Sequence, residues 1–165
     1  DLHSFPTRRS SDLVGVTRKT DYAIRLLRGI ADGGKKRIPV LAENEQIPRP
    51  FAYKIAKKLQ QAGIVAVSRG AAGGTSLNRP LAAFTLLDLL RALDDHPTVT
   101  ACTRAPYHCD WCEHHRMACC AHQHMAQIQR RLEAELAAHT LQAVIFDPPD
   151  RDDPPMRVPA PREAP

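Results

Sequence analysis

The spacing of apolar residues predicts three helices in the first part of the chain. Between residues 16 and 33, apolar positions recur three and four apart, as on one face of a helix, and Gly33-Gly34 ends the run. Residues 40–46 are a shorter helical candidate, and residues 51–62 are a third that ends at Gly63. The stripe expected to be buried on the first helix consists of Tyr22, Ala23, Leu26, Leu27 and Ile30.

The third predicted helix has two different faces. Phe51, Ile55 and Leu59 fall at positions i, i+4 and i+8, so we expect them to pack against the core. The opposite face is cationic and carries Tyr53, Lys54, Lys57 and Lys58.

A glycine-rich hairpin is predicted after the third helix. Residues 64–68 are rich in β-branched side chains and predict a strand, residues 69–74 predict a turn, and residues 75–78 can return as the partner strand. Three helices followed by a hairpin is the order of elements in a winged helix-turn-helix. In that fold the third helix enters the DNA major groove, and the hairpin tip contacts the backbone or the minor groove.

The second half of the chain predicts a short helix, a loop and a long helix. Residues 85–93 are amphipathic, and Thr85 is placed to cap them. Residues 94–118 have little apolar periodicity, so we expect a loop that a ligand orders. Residues 118–141 predict a long helix with a narrow apolar stripe, which favours packing against a second copy in a homodimer. The stripe consists of Ala118, Ala121, Met125, Ile128, Leu132 and Leu136.

The predicted fold class is mainly α with a small β-hairpin: a winged helix-turn-helix plus a long dimerisation helix. Residues 1–13 have no apolar period, and we interpret them as a non-native segment. Proline and acidic residues dominate the last 19 positions, which predicts a disordered tail. The expected domains are the non-native segment 1–13, the DNA-binding domain 14–97, the cysteine-rich cluster-binding loop 98–119, the dimerisation helix 120–146 and the tail 147–165.

The charge distribution favours a polyanion as partner. The chain of 165 residues has a net charge of +5, and residues 14–97 contain 14 Lys or Arg against 7 Asp or Glu. A basic domain of this kind favours double-stranded DNA. No apolar run approaches the roughly 20 residues that span a bilayer, and there is no export signal. These features predict a cytoplasmic protein without a membrane partner.

All five cysteines lie between Cys102 and Cys120, and histidines are interspersed among them. Clustered thiols, odd in number, favour a metal or redox site over a disulfide framework. The CxxC spacing of Cys109 and Cys112 also suits zinc, so the residues leave iron–sulfur and zinc open. No βαβ pattern surrounds the CxxC, which argues against a thioredoxin-like redox enzyme, and we expect no enzymatic activity.

Four stretches carry a family resemblance: VTRKTDYAIRLL at 16–27, IPRPFAYKIAKKLQQAGIV at 47–65, SRGAAGGTSL at 68–77 and FTLLDLLRAL at 84–93. Together with the clustered cysteines and the long helix, they resemble the Rrf2 family of bacterial transcription regulators. That family includes the iron–sulfur regulator IscR, the nitric-oxide sensor NsrR and the iron regulator RirA. The resemblance implies a homodimeric repressor whose affinity for promoter DNA is switched by an iron–sulfur cluster sensing nitric oxide, iron or redox state.

The resemblance also implies which residues contact DNA. The start of the third helix is expected to reach the bases, its later lysines the phosphates, and the wing tip the minor groove. The residues expected at the bases are Arg49, Pro50, Tyr53 and Lys54, those at phosphates are Lys57 and Lys58, and those from the wing are Arg69 and Gly70.

The metal ligands implied by the resemblance are three cysteines before the long helix: Cys102, Cys112 and Cys119. His122, three residues after Cys119, matches the histidine ligand of IscR-like members. Asp21 matches the position from which NsrR-like members supply an oxygen ligand across the dimer.

Cys109 departs from the spacing usual in the family. It replaces Cys112 as a ligand, or it joins Cys102, Cys112 and Cys119 in a set of four that leaves His122 and Asp21 unused. The expected cofactor is a 2Fe–2S or 4Fe–4S cluster, with zinc as the alternative. In the zinc case the protein is a zinc-stabilised DNA-binding or interaction module without cluster sensing.

Overall fold

The computed structural model describes residues 17–70, 73–104 and 106–148. The predicted non-native segment 1–13 lies outside these ranges, as does the predicted tail from residue 149 onward. The described part is mainly helical with one two-stranded sheet, which confirms the predicted fold class. None of its helices has the length and hydropathy that crossing a bilayer requires. The elements are α1 (Arg18–Gly29), α2 (Ile38–Asn44), α3 (Arg49–Gln61), β1 (Val65–Ser68), β2 (Gly74–Leu77), α4 (Leu86–Ala92), α5 (Asp110–His115), α6 (Cys120–Ala138) and α7 (Leu141–Phe146).

Helices α1, α2 and α3 pack around one apolar core. At Gly29 a Cβ would lie 2.9 Å from Leu41 Cδ2, so the absence of a side chain lets α2 approach α1 closely. Full burial of each leucine contributes about 1.5–3 kcal/mol to stability. Four residues of the stripe predicted on α1 are buried, namely Ala23, Leu26, Leu27 and Ile30, while Tyr22 is partly exposed.

The packing face of α3 differs from the predicted one. Ile55 and Leu59 are buried as expected, but Phe51 is 47% exposed. Ala52 and Ala56 lie in the core instead, because small side chains let α3 pack closely against its neighbouring helices. The prediction that Phe51 belongs to the core was therefore wrong.

The hairpin is antiparallel, with Ser68 opposite Gly74 at its outer end. Two backbone hydrogen bonds attach it to the α1–α2 connection: Lys36 N–H donates to the Thr75 carbonyl at 3.0 Å, and Thr75 N–H donates to the Lys36 carbonyl at 2.8 Å. A Cβ on Gly73 would lie 2.5 Å from the Ser68 carbonyl oxygen, so this turn requires glycine.

Helix α4 begins with the predicted cap. The Thr85 hydroxyl accepts a hydrogen bond from the Asp88 N–H at 3.2 Å, and the Thr85 N–H donates to the Asp88 carboxylate at 2.9 Å. This reciprocal pair is a capping box. Leu89 and Leu93 are fully buried, which anchors α4 on the core.

The predicted loop and long helix both differ from the structure. The stretch 94–118 includes a 3-10 turn, Ala101–Thr103, and helix α5. Helix α6 ends at Ala138 rather than at residue 141, because Thr140 adopts an extended backbone that pairs with Thr85. Thr140 then caps α7 by accepting a hydrogen bond from the Ala143 N–H at 3.1 Å.

Helix α7 returns to the core of the DNA-binding domain. Leu141 is fully buried among the core residues, and α7 packs against the 3-10 turn Leu81–Ala83. Helix α7 therefore stabilises the domain that α1, α2 and α3 form at the other end of the chain.

Candidate functional site: recognition helix, wing and cysteine segment

Helix α3, called the recognition helix from here on, presents basic and aromatic side chains to solvent. Arg49 and Pro50 lie in its first turn, where the missing N–H of proline costs no helical hydrogen bond. Tyr53 is 52% exposed, and Lys54 and Lys57 are also exposed. These five predicted DNA-contacting residues are therefore accessible to a ligand.

An aromatic pair joins the recognition helix to α1. The Tyr22 and Phe51 ring centroids are 6.0 Å apart, with the Arg25 guanidinium 5.9 Å from the Tyr22 centroid and Lys54 Nζ 6.0 Å from the Phe51 centroid. Arg25 also forms an ion pair with Asp21 at 2.9 Å. The predicted ligand Asp21 is thus engaged with a neighbour on its own helix.

The β1–β2 hairpin, called the wing, stands beside the recognition helix. Arg69 and Gly70 are exposed, and Gly70 has φ +102°, which favours glycine. Residues 71 and 72 lie outside the described ranges. A groove of about 510 Å³ separates the wing from α2 and the recognition helix, with Pro39 and Tyr53 among its lining residues.

Lys58 differs from the other lysines of the recognition helix. Its ammonium forms an ion pair with Asp94 and donates to the Leu93 carbonyl at 3.4 Å. Lys19 of α1 donates to the same carbonyl at 3.0 Å. Two cations at the C-terminal end of α4 are favourable to the helix dipole. The predicted phosphate contact of Lys58 stays a prediction. To make it, Lys58 would have to leave Asp94 and bind the phosphate instead.

Asp95 binds α1 in the same region. The hydroxyls of Thr17 and Thr20 donate to Asp95 Oδ2, the second at 3.2 Å, and Lys19 Nζ lies 2.5 Å from Oδ1. We call Asp94 and Asp95 the acidic joint. It connects α1 and the recognition helix to the chain immediately before residues 98–119, the cysteine segment.

The five thiols are spread over three successive elements. They lie in the 3-10 turn (Cys102), at the N-cap of α5 (Cys109), within α5 (Cys112), at the N-cap of α6 (Cys119) and at the first residue of α6 (Cys120). The first four are partly buried, and the last is exposed. Cys119 Sγ accepts a hydrogen bond from the His122 N–H at 3.4 Å, so this sulfur sits at the positive end of the α6 dipole.

The thiols of Cys109 and Cys112 influence each other's pKa. The backbone N–H of Cys112, followed by its thiol, donates to Cys109 and lowers the pKa of the Cys109 thiol. The same thiol hydrogen bond, partial desolvation and the nearby charges of Cys109 and Cys119 raise the pKa of Cys112. Cys109 and Cys112 are thus hydrogen-bonded neighbours, Cys119 acts on Cys112, and Cys102 lies on a separate 3-10 turn.

No predicted thiol belongs to a compact three-residue metal group in the part of the chain that the structure describes, where compact means ligand atoms within 4.8 Å of one another. The group that meets this spacing there is His108, Asp110 and Glu113, all exposed. His108 Nε2 lies 2.8 Å from Glu113 Oε2 and 3.4 Å from Asp110 Oδ1. This group is an exposed cluster at the start of α5, in which His108 and Glu113 share a hydrogen bond.

The cysteine segment offers four partly buried thiols as ligands for a metal centre. Zinc bound tetrahedrally at about 2.3 Å would need its sulfurs roughly 3.8 Å apart. The thiolates of an iron–sulfur cluster are divided among two or more iron atoms, so they need not all converge on one metal ion. Four partly buried thiols are a donor set of the kind that iron–sulfur clusters use, and in the described ranges no three of them have the compact spacing of a formed zinc site.

The sequence profile of the Rrf2 family, described as an iron-dependent transcriptional regulator, matches residues 16–147. The chain belongs to the Rrf2 family. Proteins of this family are DNA-binding transcriptional regulators rather than enzymes, and the family resemblance is confirmed.

Relatives of the Rrf2 protein agree with this assignment. Protein aau3 of Rhizobium meliloti is 36% identical over 92 residues, which cover 54% of this chain and 60% of aau3, so less than two thirds of that relative is spanned. An rrf2-like HTH-type transcriptional regulator of Rhodobacter capsulatus is 32% identical over 63% of this chain and 74% of its own length.

Solved structures share the fold. T. potens IscR superposes with a TM-score of 0.58 at 20% identity, covering 83% of this chain and 89% of its own. CymR, the global cysteine regulator of B. subtilis, superposes with a TM-score of 0.60 at 18% identity, covering 81% and 97%. At these identities the likeness shows the fold alone.

Sequence reasoning missed three residues that connect the site. Asp94 and Asp95 form the acidic joint, and Gln129 binds the cysteine segment to α6. Two consecutive acids after a predicted helix were the one available signal for the joint. A glutamine within a polar helix carries none, because such residues are ordinarily solvated.

Proposed function

We propose that this Rrf2 protein is a cytoplasmic, homodimeric repressor whose affinity for promoter DNA depends on an iron–sulfur cluster held by the cysteine segment. The acidic joint carries this proposal. Asp94 binds Lys58 of the recognition helix, and Asp95 binds Thr20 of α1, directly before the cysteine segment begins. A change in the order of that segment therefore acts on the helices that meet DNA.

Cys102, Cys112 and Cys119 are the proposed ligands, with Cys109 as a replacement for Cys112 or a fourth. When bound, an iron–sulfur cluster supplies iron atoms that react with nitric oxide, oxygen or reductants. The protein's own part is to tie three elements together: the 3-10 turn, α5 and the start of α6. The description of the family as iron-dependent supports iron over zinc. His122 is the proposed histidine ligand.

Binding of DNA rests on the exposed surface of the recognition helix and wing. Arg49, Tyr53, Lys57 and Arg69 are all exposed. The proposed targets are base edges for Arg49 and Tyr53, phosphates for Lys57 and the minor groove for Arg69. Because phosphate contacts release counterions, affinity falls steeply as the salt concentration rises.

The homodimer rests on the apolar stripe of α6. Ile128 is 46% exposed and Met125, Leu132 and Leu136 are only partly buried in a single chain. A second copy of α6 covers such a stripe. The two recognition helices then contact successive major grooves about 34 Å apart on a palindromic site.

The test compares two forms of the same preparation on DNA. Protein is purified anaerobically, its iron, sulfide and zinc are counted, and duplexes are selected from a random library with the loaded and the metal-free protein. Fluorescence anisotropy then measures both forms on each selected duplex. We expect affinities that differ about 5- to 150-fold. Equal affinities, or zinc in place of iron and sulfide, would contradict the sensor.

A further inference from the structure

Gln129 is a buried polar residue on an otherwise solvated helix. It is 9% exposed, and among the residues described in α6 it is the one that is buried. Since a buried carboxamide is stable only when its donors and acceptor are paired, its partners reveal what it holds.

The partners are mainly backbone atoms of the cysteine segment and its approach. Gln129 Oε1 accepts from the Val99 N–H at 2.9 Å, and Nε2 donates to the Pro97 carbonyl at 2.8 Å. An N–H can only donate and a carbonyl can only accept, so these two groups determine which way the carboxamide faces. The Thr103 hydroxyl is 3.4 Å from Oε1 and 2.8 Å from the Thr100 carbonyl. The hydroxyl has one proton to donate, so Thr103 donates to the Thr100 carbonyl rather than to Gln129.

The second N–H of the carboxamide reaches a different element. Nε2 also donates to Glu133 Oε1 at 2.8 Å, one turn along α6. The other oxygen of Glu133 lies 3.7 Å from the Arg91 guanidinium of α4. Gln129 thus joins residues 97–99, α6 and, through Glu133, α4.

We propose that Gln129 is the positioning residue of Cys102. Its two backbone hydrogen bonds hold the chain at residues 97 and 99, directly before the 3-10 turn that carries Cys102. This keeps the Cys102 thiol at a constant place relative to α6, the helix that Cys119 caps. The purpose of this placement, to hold Cys102 ready for an iron–sulfur cluster, rests on the proposed function. The placement itself does not depend on a metal and exists in metal-free protein.

The first test uses metal-free protein. Gln129→Met keeps the length of the side chain and removes both hydrogen-bonding groups, and Gln129→Glu turns the donor that faces Pro97 into a repelling oxygen. The rate of alkylation by iodoacetamide is measured at Cys102 and, as an internal reference, at the exposed Cys120. We expect the Cys102-to-Cys120 ratio to rise about tenfold in both variants, the factor that corresponds to about 1.4 kcal/mol of lost hydrogen bonding.

Gln127 provides a matched control, because it is exposed on the same helix. Gln127→Met and Gln127→Glu should leave the ratio at the wild-type value. An unchanged ratio in the Gln129 variants, or an equal rise in the Gln127 variants, would overturn the proposal. Helical circular dichroism checks that each variant is folded.

Two further measurements separate this proposal from the proposed function. Amide hydrogen exchange of the wild-type protein must show the Val99 N–H protected relative to Tyr107 in the exposed part of the segment, and equal exchange would overturn the inference without any variant. After anaerobic reconstitution, Gln129→Met should lose iron faster than Gln127→Met. If the wild type takes up no iron, the sensor fails while the alkylation result still decides the role of Gln129.

Discussion

Lys58 of the recognition helix is ion-paired with Asp94, a residue 36 positions later that begins the acidic joint. Asp94 has φ +55°, a left-handed conformation that accompanies the end of α4. The pair joins the helix that meets DNA to the chain that leads into the cysteine segment. A rearrangement of the cysteine segment therefore reaches the recognition helix through Asp94.

The Lys58–Asp94 pair should make stability depend on acid pH. The Lys58 ammonium holds the pKa of Asp94 below its ordinary value of 3.8. The contribution of the pair is therefore fully present above that value and is lost as the pH falls through the lowered pKa. We expect Asp94→Asn to be slightly less stable than wild type at neutral pH and the difference to shrink in acid. Urea denaturation at a series of pH values measures it, and a pH-independent difference would refute the assignment.

Arg49 and Lys57 should affect DNA binding differently. Arg49→Ala removes a proposed base contact, so we expect a loss of about 1–3 kcal/mol on the selected duplex and little on a scrambled one. Lys57→Ala should weaken binding to both duplexes equally. It should also reduce the slope of log affinity against log salt concentration by about 1. Anisotropy titrations at several salt concentrations separate the two. An equal loss on both duplexes for Arg49→Ala would make it a phosphate contact.

Single cysteine substitutions should sort the ligands. We expect Cys102→Ser, Cys112→Ser and Cys119→Ser to lower iron per chain after anaerobic reconstitution, because each removes a thiolate. Cys109→Ser is compared with Cys112→Ser: a loss of iron in both variants indicates a set of four, and a loss in one of them alone indicates a set of three. Cys120→Ser is the matched control, since Cys120 is exposed and adjacent to Cys119. Retention of iron by all five variants would contradict the proposed site.

Leu141→Ala should destabilise the DNA-binding domain, although Leu141 lies outside the range 14–97 predicted for that domain. Leu141 is fully buried in the core, so we expect a loss of about 2–5 kcal/mol in the free energy of unfolding. Val144→Ala on the same helix is the control, because Val144 is 38% exposed and should cost less. Equal losses for the two, measured by urea denaturation, would mean that α7 does not anchor the core.

Ile128→Glu should weaken the proposed dimer. A carboxylate in the middle of an apolar seam loses hydration when the second copy binds, whereas Ile128 exposes 46% of its surface in one chain. Sedimentation analysis should show a larger fraction of monomer at micromolar concentration. Gln123→Glu, on the exposed surface of α6, should sediment as wild type does. A dimer unaffected by Ile128→Glu must use another surface.

Local patterns predicted the elements well where neighbouring residues decide the structure. The cap at Thr85 depends on residues within one helical turn, so the sequence predicted it, whereas the reciprocal bond from Asp88 was seen only in the structure. Phe51 was assigned to the core wrongly, because periodicity favours large apolar side chains and cannot show that two alanines fit the space between helices. The end of α6 was misplaced because Thr140 pairs with Thr85, far away in the chain.

The sequence alone determined the winged helix-turn-helix, the cationic recognition helix and the grouping of five thiols, since helix periodicity, turn residues and composition act over a few positions. Only the tertiary structure decided which polar groups bind one another: Lys58 with Asp94, and Gln129 with Val99. The physical reason is that an ammonium or a carboxamide is nearly as stable in water as against a protein partner, so its residue type does not reveal which it has. Its place depends on which distant groups the packed helices bring near it.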